Sequence, residues 1–331
     1  MTNHKHTQRS GGTVQTVAAY NAFGQKAQGK TAAEVMKNAG LDYDVQMEPL
    51  YTSAGKQVRS QFRRVFRTDN DDTLGVVGKN YKVFSNPELF EMADTLTQTN
   101  ESEWDRVACV GHGERVLASF LLPHAFTIGR GDEINQMVYL TNSHDGSSGL
   151  KVLPTNFRIG CSNQTAAIHS MLRAAGINPR ALTIRHSSMM EYRIQALRQI
   201  LNITDKFNET FAQQANDLLR VNVDFEDRVN YYIETLGLKR DENITTNPHG
   251  LTTRGNNTLD HLLALEEAET NTTGGMGGTA WGMFNTLTEF IDHGWVHNAD
   301  GSFNHKRAES ALIGVGSRIK GKAWEGALLM A

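Results

Sequence analysis

A chain of 331 residues exceeds a typical single domain and can bury one large core or two smaller ones without staples. Its two cysteines, Cys109 and Cys161, lie far apart with no CxxC or Cys/His ligand spacing, which excludes a secreted disulfide framework and points to ordinary buried thiols in a reducing, cytoplasmic setting. The net charge of −3 divides into 20 Lys and Arg against 17 Asp and Glu over residues 1–190, and 13 against 19 over 191–331, so any role on nucleic acid must rest on a local stripe rather than on a uniformly basic surface.

Residues Met1 to Gly12 are polar with no apolar h-region, and no stretch approaches the roughly 20 apolar residues of a membrane span, so neither secretion nor membrane contact is expected. Residues 1–30 are rich in Gln, Thr, Lys and Gly and are expected as a mobile tail. Thr31 with Glu34 fits a capping box, and Gly40 suits a left-handed stop, giving a short first helix. Apolar and polar residues then alternate through Val45–Met47, Val58–Phe66 and Thr73–Phe84, which reads as three antiparallel strands. Asn86 as a cap with Pro87 at the first helical position starts a helix carrying Phe90, Met92, Ala93 and Leu96. Two hairpins follow, Val107–Val110 with Arg115–Leu122 around Gly111–Gly113, and Asn135–Thr141 with Leu150–Cys161 around His144–Ser148. Together these predict a sheet of about seven strands.

Past Ser187 the period becomes helical, with Met190, Ile194, Leu197, Leu201, Phe207, Phe211 and Leu218 on one stripe of a long helix. A helix over Phe225–Leu236 stops at Gly237, and Lys239–Asn257 reads as a linker or extended loop. Helices are then expected over Leu259–Glu269, from the Thr279 cap through Trp281, Phe284, Leu287 and Ile291 to Gly294, and over Ser310–Met330. The fold class is α+β, a mostly antiparallel sheet in the N-terminal half flanked by helices and a helical C-terminal part, divided as a tail (1–30), a sheet domain (31–187) and a helical region (188–331).

With Leu140–Ser148, Arg158–Asn163, Ile184–His186 and Gly278–Gly282 in this order, the chain resembles the phage/plasmid-like proteins known as domain of unknown function 932. The resemblance runs from about Thr31 to Met330 and includes Leu41–Tyr43, Pro49–Tyr51, Gly75–Gly78 with Tyr81, and Ala311–Leu312 before Gly314 and Gly316. Relatives tend to carry a Trp-His-Gly-Leu-Gly-like N-terminal segment where this chain has only Ala22-Phe23-Gly24. The resemblance implies a phage, plasmid or integrated element in a bacterial host cell, and assigns no activity.

The strongest binding signal is the strand from Arg59 to Arg67. Alternation puts Arg59, Gln61, Arg63 and Arg67 on one face and Phe62 and Phe66 on the other. Guanidinium groups two residues apart rise by roughly 6–7 Å, comparable with the phosphate spacing of an extended strand. Lys79, Lys82, Lys151, Arg158, Arg180, Arg185 and His186 extend the stripe if the strands pair as expected. Exposed strands also carry Arg for solubility and against edge pairing, and that reading stays open beside the first.

The His144–Ser148 loop holds a histidine, a carboxylate and hydroxyls, yet adjacent His and Asp side chains on one loop do not orient each other toward a neighbouring Ser, so a turn is expected, with a ligand contact as the alternative. Glu289, Asp292, His293 and His297 lack HExxH and a second helical ligand set, so no metal site is expected. Gly274–Gly278 lacks the Lys-Ser/Thr of a P-loop and a preceding strand; it reads as a flexible lead into the helix, and no cofactor is expected. Trp281 and Phe284 are read as core, and Cys161 as a structural thiol.

The leading functional expectation is a nucleic-acid-binding protein of a mobile element, acting on single-stranded DNA in annealing or recombination as a homo-oligomer. It draws on the basic strand, the setting that the resemblance implies, and a fold-level analogy with phage annealing proteins of the Red-beta and Rad types. The alternative is a factor that contacts host or phage proteins through the acidic helical part without binding nucleic acid. A metal-dependent enzyme around His144, Asp145 and Glu289 ranks last, because no motif brings nucleophile, base and stabiliser together, and no catalytic residue is assigned.

Overall fold

The protein is described from a computed structural model. The described residues are 24–58, 61–100, 102–158, 183–186, 207–241, 248–295, 298, 302, 304, 306–307, 310–311 and 314–331. Among them are strands β1 (Gln25–Lys26), β2 (Val45–Pro49), β3 (Phe62–Arg67), β4 (Thr73–Gly78), β5 (Glu103–Val110), β6 (Arg115–Ile128), β7 (Asp132–Ser143), β8 (Leu150–Arg158) and β9 (Thr183–Ile184). The helices are α1 (Ala32–Asn38), α2 (Asn86–Asn100), α3 (207–220), α4 (Phe225–Leu236), α5 (Thr253–Glu266), α6 (Glu269–Thr272), α7 (Ala280–Glu289) and α8 (Val315–Leu328). The architecture is α+β, with antiparallel sheet in the N-terminal half and helices in the C-terminal part. No helix among the described residues is long and apolar enough to cross a membrane.

In place of one sheet of about seven strands the described residues form two, a three-stranded meander β2-β3-β4 and a six-stranded sheet in the order β1-β5-β6-β7-β8-β9. Period-two alternation identifies a strand but not its neighbour, and α2 intervenes between the meanders. The Thr31–Glu34 capping box forms as expected. At α2 the cap moves back one residue: Ser85 exchanges bonds with Glu88, at 2.7 Å from the Ser85 amide and 3.3 Å from the Glu88 amide, and its carbonyl takes the first helical bond from Leu89. Asn86 is thereby freed to turn inward. Within the expected tail, Gln25 and Lys26 pair with Val107 and Arg106 on the edge of the larger sheet. Cys109, expected as a buried thiol, is exposed near the β5–β6 turn, and Cys161 lies outside the described residues.

The six-stranded sheet is held at both ends. At one end Gly75 of β4 rests on the β7–β8 turn so closely that a Cβ there would stand 2.6 Å from Asp145 Cα, and a Cβ on Gly146 would meet Val77 at 2.9 Å. At the other end the β6–β7 turn enters the helices, where Asn216 Oδ1 accepts from the Gly129 amide at 3.2 Å and the Trp281 indole donates to Asp132 at 2.9 Å.

The expected long helix is described only from residue 207, and the expected domain boundary at 187 and 188 lies outside the described residues. The α4 range and its left-handed Gly237 stop are as read from sequence. The Lys239–Asn257 linker is shorter than expected: an Arg240–Leu251 bridge closes it, and Thr252 caps α5 by accepting from the Gly255 amide. The polar first turn of α5 faces outward and therefore resembles a loop in sequence. The last helix starts at Val315 rather than Ser310, because Gly314 and Gly316 fold the chain back against Ser310 and Ala311 at distances no side chain allows. Helix α7 is buried from Ala280 to Thr288, with Phe211, Trp281, Phe284 and Trp324 ring-packed around it.

Candidate nucleic-acid interface

The β7–β8 turn is organised by its own polar groups. Ser143 Oγ donates to Asp145 Oδ1 at 2.5 Å, the same oxygen accepts from the Ser147 amide at 2.8 Å, and the Ser148 amide donates to Ser143 Oγ at 3.3 Å. These bonds hold the Asp145 carboxyl below the ordinary range, against the opposing effect of burial. His144 turns the other way. Its ring is fully buried, and Nε2 stands 3.0 Å from Asn86 Oδ1 while Asn86 Nδ2 donates to the Leu41 carbonyl at 2.9 Å. The Asn86 oxygen therefore faces an Nε2–H, and Nδ1 is left as a buried lone pair with no hydrogen-bond partner among the described residues. Burial, reinforced by His186, holds this imidazole down to about 4, so it is neutral at physiological pH. Ser143 and Asp145 bond each other while His144 bonds Asn86, so the three side chains form a clamp between segments and not a proton relay.

The Arg59–Arg67 stripe changes most. Arg59 lies outside the described residues. Arg63, Val65 and Arg67 do share a face, but that face turns inward: Val65 is fully buried, and Val45 opposite Arg67 and Val77 opposite Arg63 are buried as well. Arg67 is consumed internally, paired with Asp69 at 2.6 Å, donating to the His112 carbonyl at 2.9 Å and lying 3.7 Å over the Tyr43 ring. The outward face is the one read as apolar. It bears Phe62 and Val76, both exposed, with Phe66 and with Arg64, which pairs with Glu48 at 2.7 Å and with Asp71. The apolar residues opposite Arg63 and Arg67 on β2 and β4 are the sequence signal for this inversion.

Several other cations converge. Lys79 and Lys82 are exposed where the chain leaves β4; the Lys79 amide donates to Gln61, beside Arg63, and the Lys82 amide to the His186 carbonyl at 2.8 Å. Arg185 is exposed next to His186. His186 itself is not a surface group: it is buried, stacked on Tyr81 at 4.6 Å, with Nδ1 at 3.1 Å from the Lys82 carbonyl. Lys151 pairs in register with Thr141 on β7 and Thr183 on β9. Arg158 occupies the far end of the same strand, about 23 Å away at the usual strand rise, and its side chain lies outside the described residues, as does Arg180.

Arg115 carries no local sequence signal of a binding residue. It sits opposite Ser143, on the same sheet face as Lys151, with its Nε 3.7 Å from Asp145 Oδ2. The register of the β6–β7 hairpin carries that information, and residue type alone does not. Lys151 is half-buried and makes no ion pair among the described residues; burial, with Arg115 adding to it, pushes its ammonium down.

The helical acids do not assemble. Glu289 accepts from Thr270 and Asn271, whereas Asp292, carried inward on the π-helical turn Phe290–Gly294, pairs with Lys320 at 2.6 Å with both side chains fully buried. No group of three metal-ligating side chains occurs among the described residues, and His297 lies outside them.

No curated protein and no solved structure matches the chain. A family model described as a domain of unknown function, DUF932, matches residues 73–312, which takes in α2, the β5–β8 meander, the clamp around His144 and most of the helical part. The chain belongs to the DUF932 family.

Proposed function

We propose that the protein binds single-stranded nucleic acid along a cationic track running from Lys79 over Lys82 and Arg185 to Lys151 and Arg115. The observation that carries this reading is Lys151: a half-buried ammonium with no carboxylate partner among the described residues, disfavoured further by Arg115, is relieved by a bound phosphate. Exposed Phe62 and Tyr51 at the neighbouring small sheet supply rings on which unpaired bases stack, which favours single strands over duplex. The phage or plasmid setting and a role in annealing or recombination as a homo-oligomer belong to the same proposal.

Fluorescence anisotropy with a labelled oligonucleotide, titrated at several salt concentrations, tests it. The expected outcome is binding to single strands whose log–log salt slope falls in magnitude by roughly 1.4 in Arg115→Ala/Lys151→Ala, two phosphate contacts being lost. Absence of binding at low salt, or an unchanged slope in the double variant, overturns it.

A further inference from the structure

The helical part carries a groove of opposite character. Between α4 and α8 lies a cavity of about 760 Å³ with Asp224, Asp227 and Glu234 on one side and Glu325 on the other, against the single cation Lys322. The three α4 carboxylates fall at spacings of three and seven and so share one helix face. Asp224 stands at the N-cap of α4 yet makes no side-chain cap bond, and neither it nor Asp227 nor Glu234 is in an ion pair among the described residues. Lys322 donates to the Glu234 backbone carbonyl at 3.1 Å.

The floor is apolar and tied down. Tyr231 donates its hydroxyl to the Ala323 carbonyl at 2.8 Å, and Gly326 lets α8 approach so closely that a Cβ would stand 3.2 Å from the Tyr231 ring. Val221, Val223 and Met330 add to the lining, and at the rim Leu329 is 89% exposed, the most exposed large apolar side chain among the described residues.

We infer that this groove docks a basic amphipathic helix of a partner protein. The carboxylates spread over ten residues of α4, about 15 Å of helix, which is too long for one ion and matches nearly three turns of a docked helix. Cationic side chains on the ligand answer the unpaired carboxylates, and its apolar stripe covers Leu329 and the Tyr231 floor. The same charge repels phosphate, so this surface is separate from the cationic track and stands or falls independently of nucleic-acid binding.

The probe is a fluorescein-labelled twelve-residue helical peptide with Lys on one face and Leu on the other, titrated by anisotropy into the full chain, beside a counterpart with Glu for Lys. Saturable, salt-weakened binding of the Lys peptide is expected, with the Glu peptide at least about tenfold weaker. Asp227→Lys/Glu234→Lys should weaken it by about tenfold or more, and Leu329→Ser by about threefold, while Glu226→Lys/Glu267→Lys, an equal charge change outside the groove, leaves it unaltered. All five positions are exposed, and circular dichroism verifies that each variant folds. Lack of saturable binding, or equal weakening by the two charge reversals, overturns the inference.

Discussion

In the sheet region a neutral imidazole, His144, is fully buried and bonded to an asparagine amide; in the helical region an ion pair, Lys320 with Asp292, is fully buried. The surfaces diverge as well: among the described residues Lys151 lacks an ion pair beside the β7–β8 turn, and Asp224, Asp227 and Glu234 lack one along α4. A neutral clamp avoids the desolvation of charge but is vulnerable to protonation, whereas a buried pair is vulnerable to the loss of either partner. The two regions should therefore fail under different perturbations.

The largest effect is expected at the pair. Lys320→Met leaves Asp292 buried without its counter-charge and should cost about 3–5 kcal/mol in urea unfolding, most of which returns in Asp292→Asn/Lys320→Met. If the single variant unfolds like the parent, the contrast between the regions collapses.

The clamp should respond to acid instead. His144 titrates near 6.5 when unfolded and at about 4 when folded, so the unfolded chain takes up the proton first. Its contribution is fully present above pH 6.5, is lost progressively as the pH falls toward 4, and totals about 3 kcal/mol. Unfolding free energies at pH 7.5 and 4.5 should differ by correspondingly less in His144→Gln than in the parent. An equal pH dependence in both would assign the acid sensitivity to carboxylates.

A smaller effect separates structural from binding arginines. Arg67→Ala should lower stability by about 1–2 kcal/mol through loss of the Asp69 and Tyr43 contacts, yet leave the salt slope of oligonucleotide binding unchanged. A slope altered by Arg67→Ala would place that residue on the track after all. Smallest is the α2 cap: Ser85→Ala should cost about 1 kcal/mol, read from the urea midpoint, with no change in either binding assay.

Much of the fold was legible locally. The β2–β4 and β5–β8 meanders, the Thr31 capping box, the Thr279 cap that accepts from Gly282, and the Gly237 stop all follow from period, caps and glycine placement within a few residues. The candidate site was less legible. Residue type marks Lys79, Lys82, Lys151 and Arg185, but it does not show which face of β3 meets solvent, that Arg115 shares the face of Lys151, or that His186 is buried. Each of these depends on a neighbour from another strand.

The sequence by itself determined where the chain alternates, where it coils, where α4 stops at Gly237 and where α7 starts at Thr279, because those signals are carried within one turn or one strand. Only the tertiary structure decided that the strands divide into two sheets, that the Ser143–Ser148 turn clamps one against the other, and that Asp292 meets Lys320 twenty-eight residues away. Alternation separates two faces without saying which is wet; that is settled by what packs on them, and packing joins residues that the chain holds far apart.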